Sequence, residues 1–167
     1  MLFGNEKHNI VVQTRKGRDI DNQQFKEITP FELNQLHKLD KYRKDCTFRS
    51  GVSPIYNCHG MTFASRRTGI FELDSLKLII SDDGYEEVAQ ANTLPGDVAI
   101  YQEGGDIQHS GIVVEIRNRN ISFPVPWICS KWGKGPEVIH AFFNCPYKPE
   151  GIKFYRIKSW NPNTDSI

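Results

Sequence analysis

Apolar positions change period along this chain, and the change divides it into a helical part and a strand-rich part. The stretch T-P-F-E-L-N-Q-L-H-K-L-D-K-Y, residues 29–42, places Phe31, Leu33, Leu36 and Leu39 at helical spacing. Thr29 is a good N-cap, Pro30 suits the first turn, and Glu32 completes a capping box, so an amphipathic helix is expected over 29–42. A second, short run, C-H-G-M-T-F-A, follows Pro54 and Asn57 and predicts a helix from Cys58 that ends before residues 66–69, where charge and glycine interrupt it. The segment D-G-Y-E-E-V-A-Q-A, residues 83–91, reads as a third helical piece.

Beyond L-P-G the pattern becomes that of strands. Runs at 97–101, 109–116, 126–132, 137–143 and 152–157 are rich in β-branched and aromatic residues, with Gly and Pro between them. Several joining turns are short, which favours antiparallel pairing. The expected class is α+β, with helices packed on one side of a central antiparallel sheet.

With 167 residues, 38% of them hydrophobic, the chain is expected to form one domain with one core. Residues 1–49 read as an N-terminal helical extension and 50–157 as the core of that domain. A formal charge of +1 gives no global field toward nucleic acid or an anionic membrane, so neither is an expected partner. The opening M-L-F-G-N-E-K-H-N-I lacks a basic segment followed by a long apolar run, so neither a signal peptide nor a membrane span is expected and the chain is read as cytosolic. Four scattered cysteines, Cys46, Cys58, Cys129 and Cys145, include no C-x-x-C pair and are expected to be reduced thiols.

Candidate chemistry centres on Cys58. A cysteine becomes nucleophilic as a thiolate, and a helix N-terminus and a nearby imidazole both favour that form. Cys58 stands where a helix should begin, so the surrounding backbone N–H groups could also hold an oxyanion during acyl transfer. His109 opens the strand H-S-G-I-V-V, and His140 ends E-V-I-H, so either can project from the sheet toward a helix start. The other three cysteines read as small core residues. Cysteine and histidine together also raise zinc as a rival, but the close ligand pairs of zinc sites are absent and no metal is expected.

The ordered motifs N-C-H-G-M-T-F-A, L-P-G-D-V-A-I-Y, H-S-G-I-V-V and V-I-H-A resemble those of the NlpC-type and CHAP-type cysteine hydrolases of the papain-like superfamily. The resemblance covers roughly residues 50–157. It implies a papain-like fold, no cofactor, and cleavage of peptide or amide bonds, with peptidoglycan stem peptides as the leading substrate. Cys58 matches the nucleophile, His109 the base, and Gly96 and Asp97 the turn before the base strand. The third position falls on His140 by the NlpC pattern or near Ser130 by the CHAP pattern, with residues 117–136 as an insertion or additional strand. Asn57 and Tyr56 are further orienting or oxyanion candidates, and His59 and Trp132 are candidates for lining a substrate groove. N-C-H-G departs from the D-C-S-G of many members. A cytosolic protease or deconjugating enzyme is the alternative, as is a binding module that kept the fold and lost the chemistry. With no leader read in the chain, contact with a cell wall would require lysis, an export machine, or a phage or effector context.

Overall fold

The computed structural model describes residues 8–118 and 123–159. Part of the opening decapeptide, the end of the expected domain and the tip of the 117–136 segment therefore lie outside the described residues. Within them the helices are α1 (Pro30–Gln35), α2 (Cys58–Phe63) and α3 (Leu73–Asp82). The strands are β1 (Thr47–Phe48), β2 (Tyr85–Val88), β3 (Val98–Glu103), β4 (Asp106–Arg117), β5 (Val125–Lys131), β6 (Glu137–Ala141) and β7 (Ile152–Ile157). They form one sheet in the order β1-β6-β5-β4-β3-β7-β2, and every neighbouring pair is antiparallel. The class is α+β, and the segment after residue 117 contributes an additional strand, β5.

Helices do not lie on one side only, because the central strands are apolar on both faces. Val98–Tyr101 and Ile128–Lys131 are buried without a break, and such strands need cover above and below. Directly paired residues share a face. Tyr101 pairs with His109, Gly111 with Ser130, and Ile128 with His140, which assigns all of these to one face. Ile100 with Ser110, Ile112 with Cys129, and Lys131 with Glu137 belong to the other. The first face carries a core of Tyr101, Val113, Ile128, Trp132, Val138 and Phe154, packed by Leu39, Tyr42, Phe142 and Tyr147. The second receives α2, which lies against β4 and β5.

A second cluster joins Ala64, Ile70, Leu76 and Ile79 to Val12 and Ile20 of the N-terminal segment. Among its described residues, 8–49, that segment is not a helical extension: 8–28 form bridges and turns, and helix occurs within 30–42. It is tied to α3 by side chains at the helix end. Thr14 Oγ1 donates to Asp82 Oδ2 at 2.7 Å, Arg18 Nε to the same oxygen at 2.6 Å, and the Arg15 N–H to Asp83 at 2.7 Å.

Two elements differ from expectation. The capping box forms as read, with Thr29 Oγ1 accepting from the Glu32 N–H and Glu32 accepting from the Thr29 N–H, but α1 tightens into a 3-10 helix over Leu36–Tyr42 and leaves Phe31 and Leu33 exposed. Residues 83–91 are not helical. They hold β2 and a 3-10 turn at Gln90–Asn92, since Glu86 and Glu87 sit exposed on an edge strand bonded to β7. The helix instead precedes them, as α3, and ends where Gly84 takes a φ of 73°.

Candidate active site

Asn57 sets the start of α2. Its Oδ1 accepts from the Gly60 N–H at 2.9 Å and the Ile70 N–H at 3.1 Å, and its Nδ2 donates to the Ile70 carbonyl at 2.6 Å. Asn57 is therefore both N-cap and tie to the strand-like return, which explains why an amide can replace an acid here: one side chain must accept and donate at once. Gly60 allows the same close approach. A Cβ on it would lie 1.7 Å from the Thr68 carbonyl oxygen.

Cys58 occupies the first position of α2, 6% exposed. Burial pushes its thiol up to about 11, while the N–H groups of Ser110, His59 and Cys58 itself, and then the Lys131 ammonium, pull the other way. At neutral pH it is a thiol held among N–H donors. Cys46 is likewise raised to about 11 by burial, and burial also raises Cys129 and Cys145.

His109 is fully buried, and neither ring nitrogen has a hydrogen-bond partner. Its ring stacks flat on Tyr147, with centroids 3.7 Å apart and planes 6° from parallel, and lies 5.4 Å from the Tyr101 ring. Burial, then the nearby His140 and His59, holds it well below the usual imidazole range, so it is neutral. Tyr147 also neighbours Cys58: its phenol is raised first by burial and then by that thiol. No hydrogen bond joins Cys58 to His109.

The orienting bond expected from His140 or Ser130 to His109 is not formed, because these two bond to each other. His140 Nε2 lies 2.8 Å from Ser130 Oγ, and its Nδ1 lies 2.9 Å from the Ala141 carbonyl. A carbonyl can only accept, so Nδ1 carries the proton and Nε2 accepts from Ser130. Trp132 Nε1 in turn donates to Ser130 Oγ at 3.1 Å, which closes the network. Burial lowers His140 to about 4.

His59 is not a groove wall. It is buried, with Nδ1 2.8 Å from Ser110 Oγ. Ser110 donates to Thr62 Oγ1 at 3.0 Å, and Thr62 donates to the Cys58 carbonyl at 2.9 Å. Read back from that carbonyl, the His59 Nδ1 must be the donor to Ser110. Burial lowers His59 to about 4. Tyr56 is committed elsewhere than to an oxyanion: its hydroxyl donates to Glu137 at 2.8 Å. Asp97 stabilises the turn that Gly96 opens, accepting from the Leu94 N–H at 2.8 Å and from both arms of Arg156 at 2.7 and 2.8 Å.

Trp132 does line a hollow. A cavity of about 290 Å³ is bounded by Ile28, Leu36, Leu39, Trp132, Pro146 and Tyr147, so the ring stacked on His109 is also part of this wall. A larger cavity of about 670 Å³, beside Arg117, Trp127 and Phe143, contains none of the candidate catalytic residues.

Sequence reading missed the charged cluster behind α2. Glu137, 3% exposed, accepts from Tyr56 and from Arg66 Nε at 2.5 Å and Nη2 at 3.1 Å. Burial pushes its carboxyl up, but Arg66 and Tyr56 outweigh that and hold it below the usual range. A Lys and a Glu inside strands otherwise buried were the available signal.

Among the described residues no group of three or more His, Cys, Asp or Glu is arranged to hold a metal ion, and no helix is long and apolar enough to cross a membrane. Comparison with known protein families, with curated proteins and with solved structures returns no match.

Proposed function

We propose that the protein is a cysteine hydrolase acting on peptide or amide bonds. The observation that carries this reading is the sulfur of Cys58 among the N–H groups of Cys58, His59 and Ser110 at the start of α2, with Tyr147 near it and stacked on the buried imidazole of His109. A buried polar group without a partner costs about 1–3 kcal/mol, so His109 requires an explanation, and a part in the chemistry is one. In the proposed reaction the Cys58 thiol gives its proton to His109 as sulfur bonds to the carbonyl carbon. The resulting oxyanion meets the N–H donors, and collapse expels the amine with the proton from His109. Water, deprotonated by His109, then releases the acid and restores the thiol.

The motif resemblance supports peptidoglycan stem peptides as substrate, with protein tails cut by a cytosolic protease or deconjugating enzyme as the alternative. A second reading, an inactive binding module, is favoured by one observation: thiol and imidazole are both neutral, buried and not bonded to each other. The test is turnover of muropeptides and of a peptide library followed by mass spectrometry. Cys58→Ala is expected to reduce turnover at least about a thousandfold with the fold intact. Unchanged turnover in that variant sinks the hydrolase reading, and ligand binding with no turnover in the wild type establishes the module.

A further inference from the structure

Residues 28–39 precede the stretch that the motifs cover, yet they build one wall of the cavity of about 290 Å³ beside the candidate site. Ile28, Leu36 and Leu39 line it together with Trp132, from the connection between β5 and β6, and with Pro146 and Tyr147, from the connection that leads to β7. The aromatic walls are held from behind. Trp132 packs edge-on against Tyr42 and Phe48, with ring centroids 5.1 and 5.9 Å away, and its Nε1 donates to Ser130 Oγ at 3.1 Å. Tyr147 is stacked on His109 at 3.7 Å. The charges in the lining are spent within the protein. Glu32 and Lys134 pair at 2.8 Å, Glu32 also accepts from the Thr29 N–H, and Lys134 Nζ reaches the Glu27 carbonyl at 3.4 Å and the Phe25 ring at 4.5 Å. A cavity so lined offers apolar contact and no unpaired charge, so an ionic ligand would lose its hydration there without gaining a partner.

We infer that this cavity is the pocket for one apolar side chain of the peptide substrate, of leucine to phenylalanine size, and that Leu36, Leu39 and Trp132 set that specificity. Its purpose rests on the hydrolase reading, but its test does not. Position ties the cavity to the candidate site: Tyr147 borders it and covers His109, so a side chain seated there is one ring removed from the imidazole. Size fits the occupant, since about 290 Å³ falls at the lower end of the roughly 300–1,000 Å³ common for ligand pockets, room for a single large side chain. Gln35 lines the same hollow, an amide suited to a neighbouring peptide group and not to a charge. Stem peptides carry chiefly methyl, carboxylate and amine side chains, whereas large apolar side chains are common in protein segments. The cavity therefore favours protein segments over stem peptides as substrate, and it gives the N-terminal segment a role in recognition.

Two measurements on the full chain test this. In the first, kcat/KM is determined for a peptide library varied one position at a time, with wild type and with Leu36→Trp, which fills the cavity from a half-buried position. Burying a leucine in place of an alanine side chain is expected to raise kcat/KM about 50-fold at one position of the peptide, with aspartate and lysine below alanine. Leu36→Trp should bring the leucine peptide within about threefold of the alanine peptide and leave the alanine peptide within about threefold of wild type. A preference for small or charged side chains at every position, or a leucine preference unchanged in Leu36→Trp, overturns the inference. The second measurement needs neither turnover nor that variant. Methyl NMR of Ile28, Leu36 and Leu39 in Cys58→Ala is followed on titration with N-acetylphenylalaninamide and with the corresponding alanine and aspartate amides. Saturable shifts with a Kd of about 1 mM are expected for the phenylalanine probe alone. No shift, or equal shifts with all three probes, overturns the inference as well. Selective binding in a chain that turns over no peptide sinks the hydrolase reading and leaves the cavity as the pocket of a peptide-binding module, so the two failures are distinguishable.

Discussion

Acid should unfold this protein well before its carboxylates are protonated, because three neutral imidazoles are sealed in its interior. His59, His109 and His140 are all buried, and burial lowers His59 and His140 to about 4 and His109 further. The unfolded chain, with imidazoles near 6.5, binds more protons than the folded one in between. Stability is thus complete above about pH 6.5 and falls as the pH drops toward 4. At pH 5.5 a histidine displaced from 6.5 to about 4 removes about 1.4 kcal/mol, so His59 and His140 together remove about 3 kcal/mol, and at pH 4.5 about 5 kcal/mol. Against a typical total of about 5–15 kcal/mol, that loss brings the domain close to unfolding. The assay is urea denaturation followed by tryptophan fluorescence between pH 7.5 and 4.5. His140→Gln, which keeps a hydrogen-bonding side chain but cannot ionise, should show a loss smaller by about 1.4 kcal/mol at pH 5.5. A urea midpoint that stays constant from pH 7.5 to 5, or an equal loss in His140→Gln, would refute the reasoning.

Two further substitutions test how the site is held. Gly60→Ala forces a methyl group 1.7 Å from the Thr68 carbonyl oxygen and 2.8 Å from its carbon, both backbone atoms of a fully buried residue. It should destabilise by at least about 3 kcal/mol in urea denaturation, and a wild-type midpoint would show that α2 is not seated so closely. Ile20→Ala empties a position that is 3% exposed in the cluster beneath α3. A loss of about 2–4 kcal/mol is expected, whereas a loss below about 0.5 kcal/mol would mean that the N-terminal segment is an appendage and not part of the core.

Local signals were readable wherever local physics decides. The capping box at Thr29 and Glu32, the cap at Asn57 with Cys58 directly after it, and the strand runs from β3 to β7 all depend on neighbours in sequence. Among the described residues α3 was passed over, and it also had its signal. Leu73, Leu76, Ile79 and Ile80 keep helical spacing, with Asp74 in the first turn and Gly84 after the end. Glu86 and Glu87 drew the helical reading nearly three turns too far on, because an exposed edge strand and an exposed helix face are equally polar.

The amino-acid sequence by itself determined the α+β class and the cysteine at a helix start, since these follow from spacing and from caps; it placed His109 in a strand but at its head, whereas β4 begins at Asp106. Only the tertiary structure decided what those residues face. Strand register sends Ser130 to His140 and leaves His109 against Tyr147. Two-sided burial keeps thiol and imidazoles neutral, and the return of β6 beside β5 puts Lys131 and Glu137 behind Cys58. The reason is physical: periodicity is a property of consecutive residues, whereas hydrogen-bond partners and desolvation belong to groups brought together from distant parts of the chain.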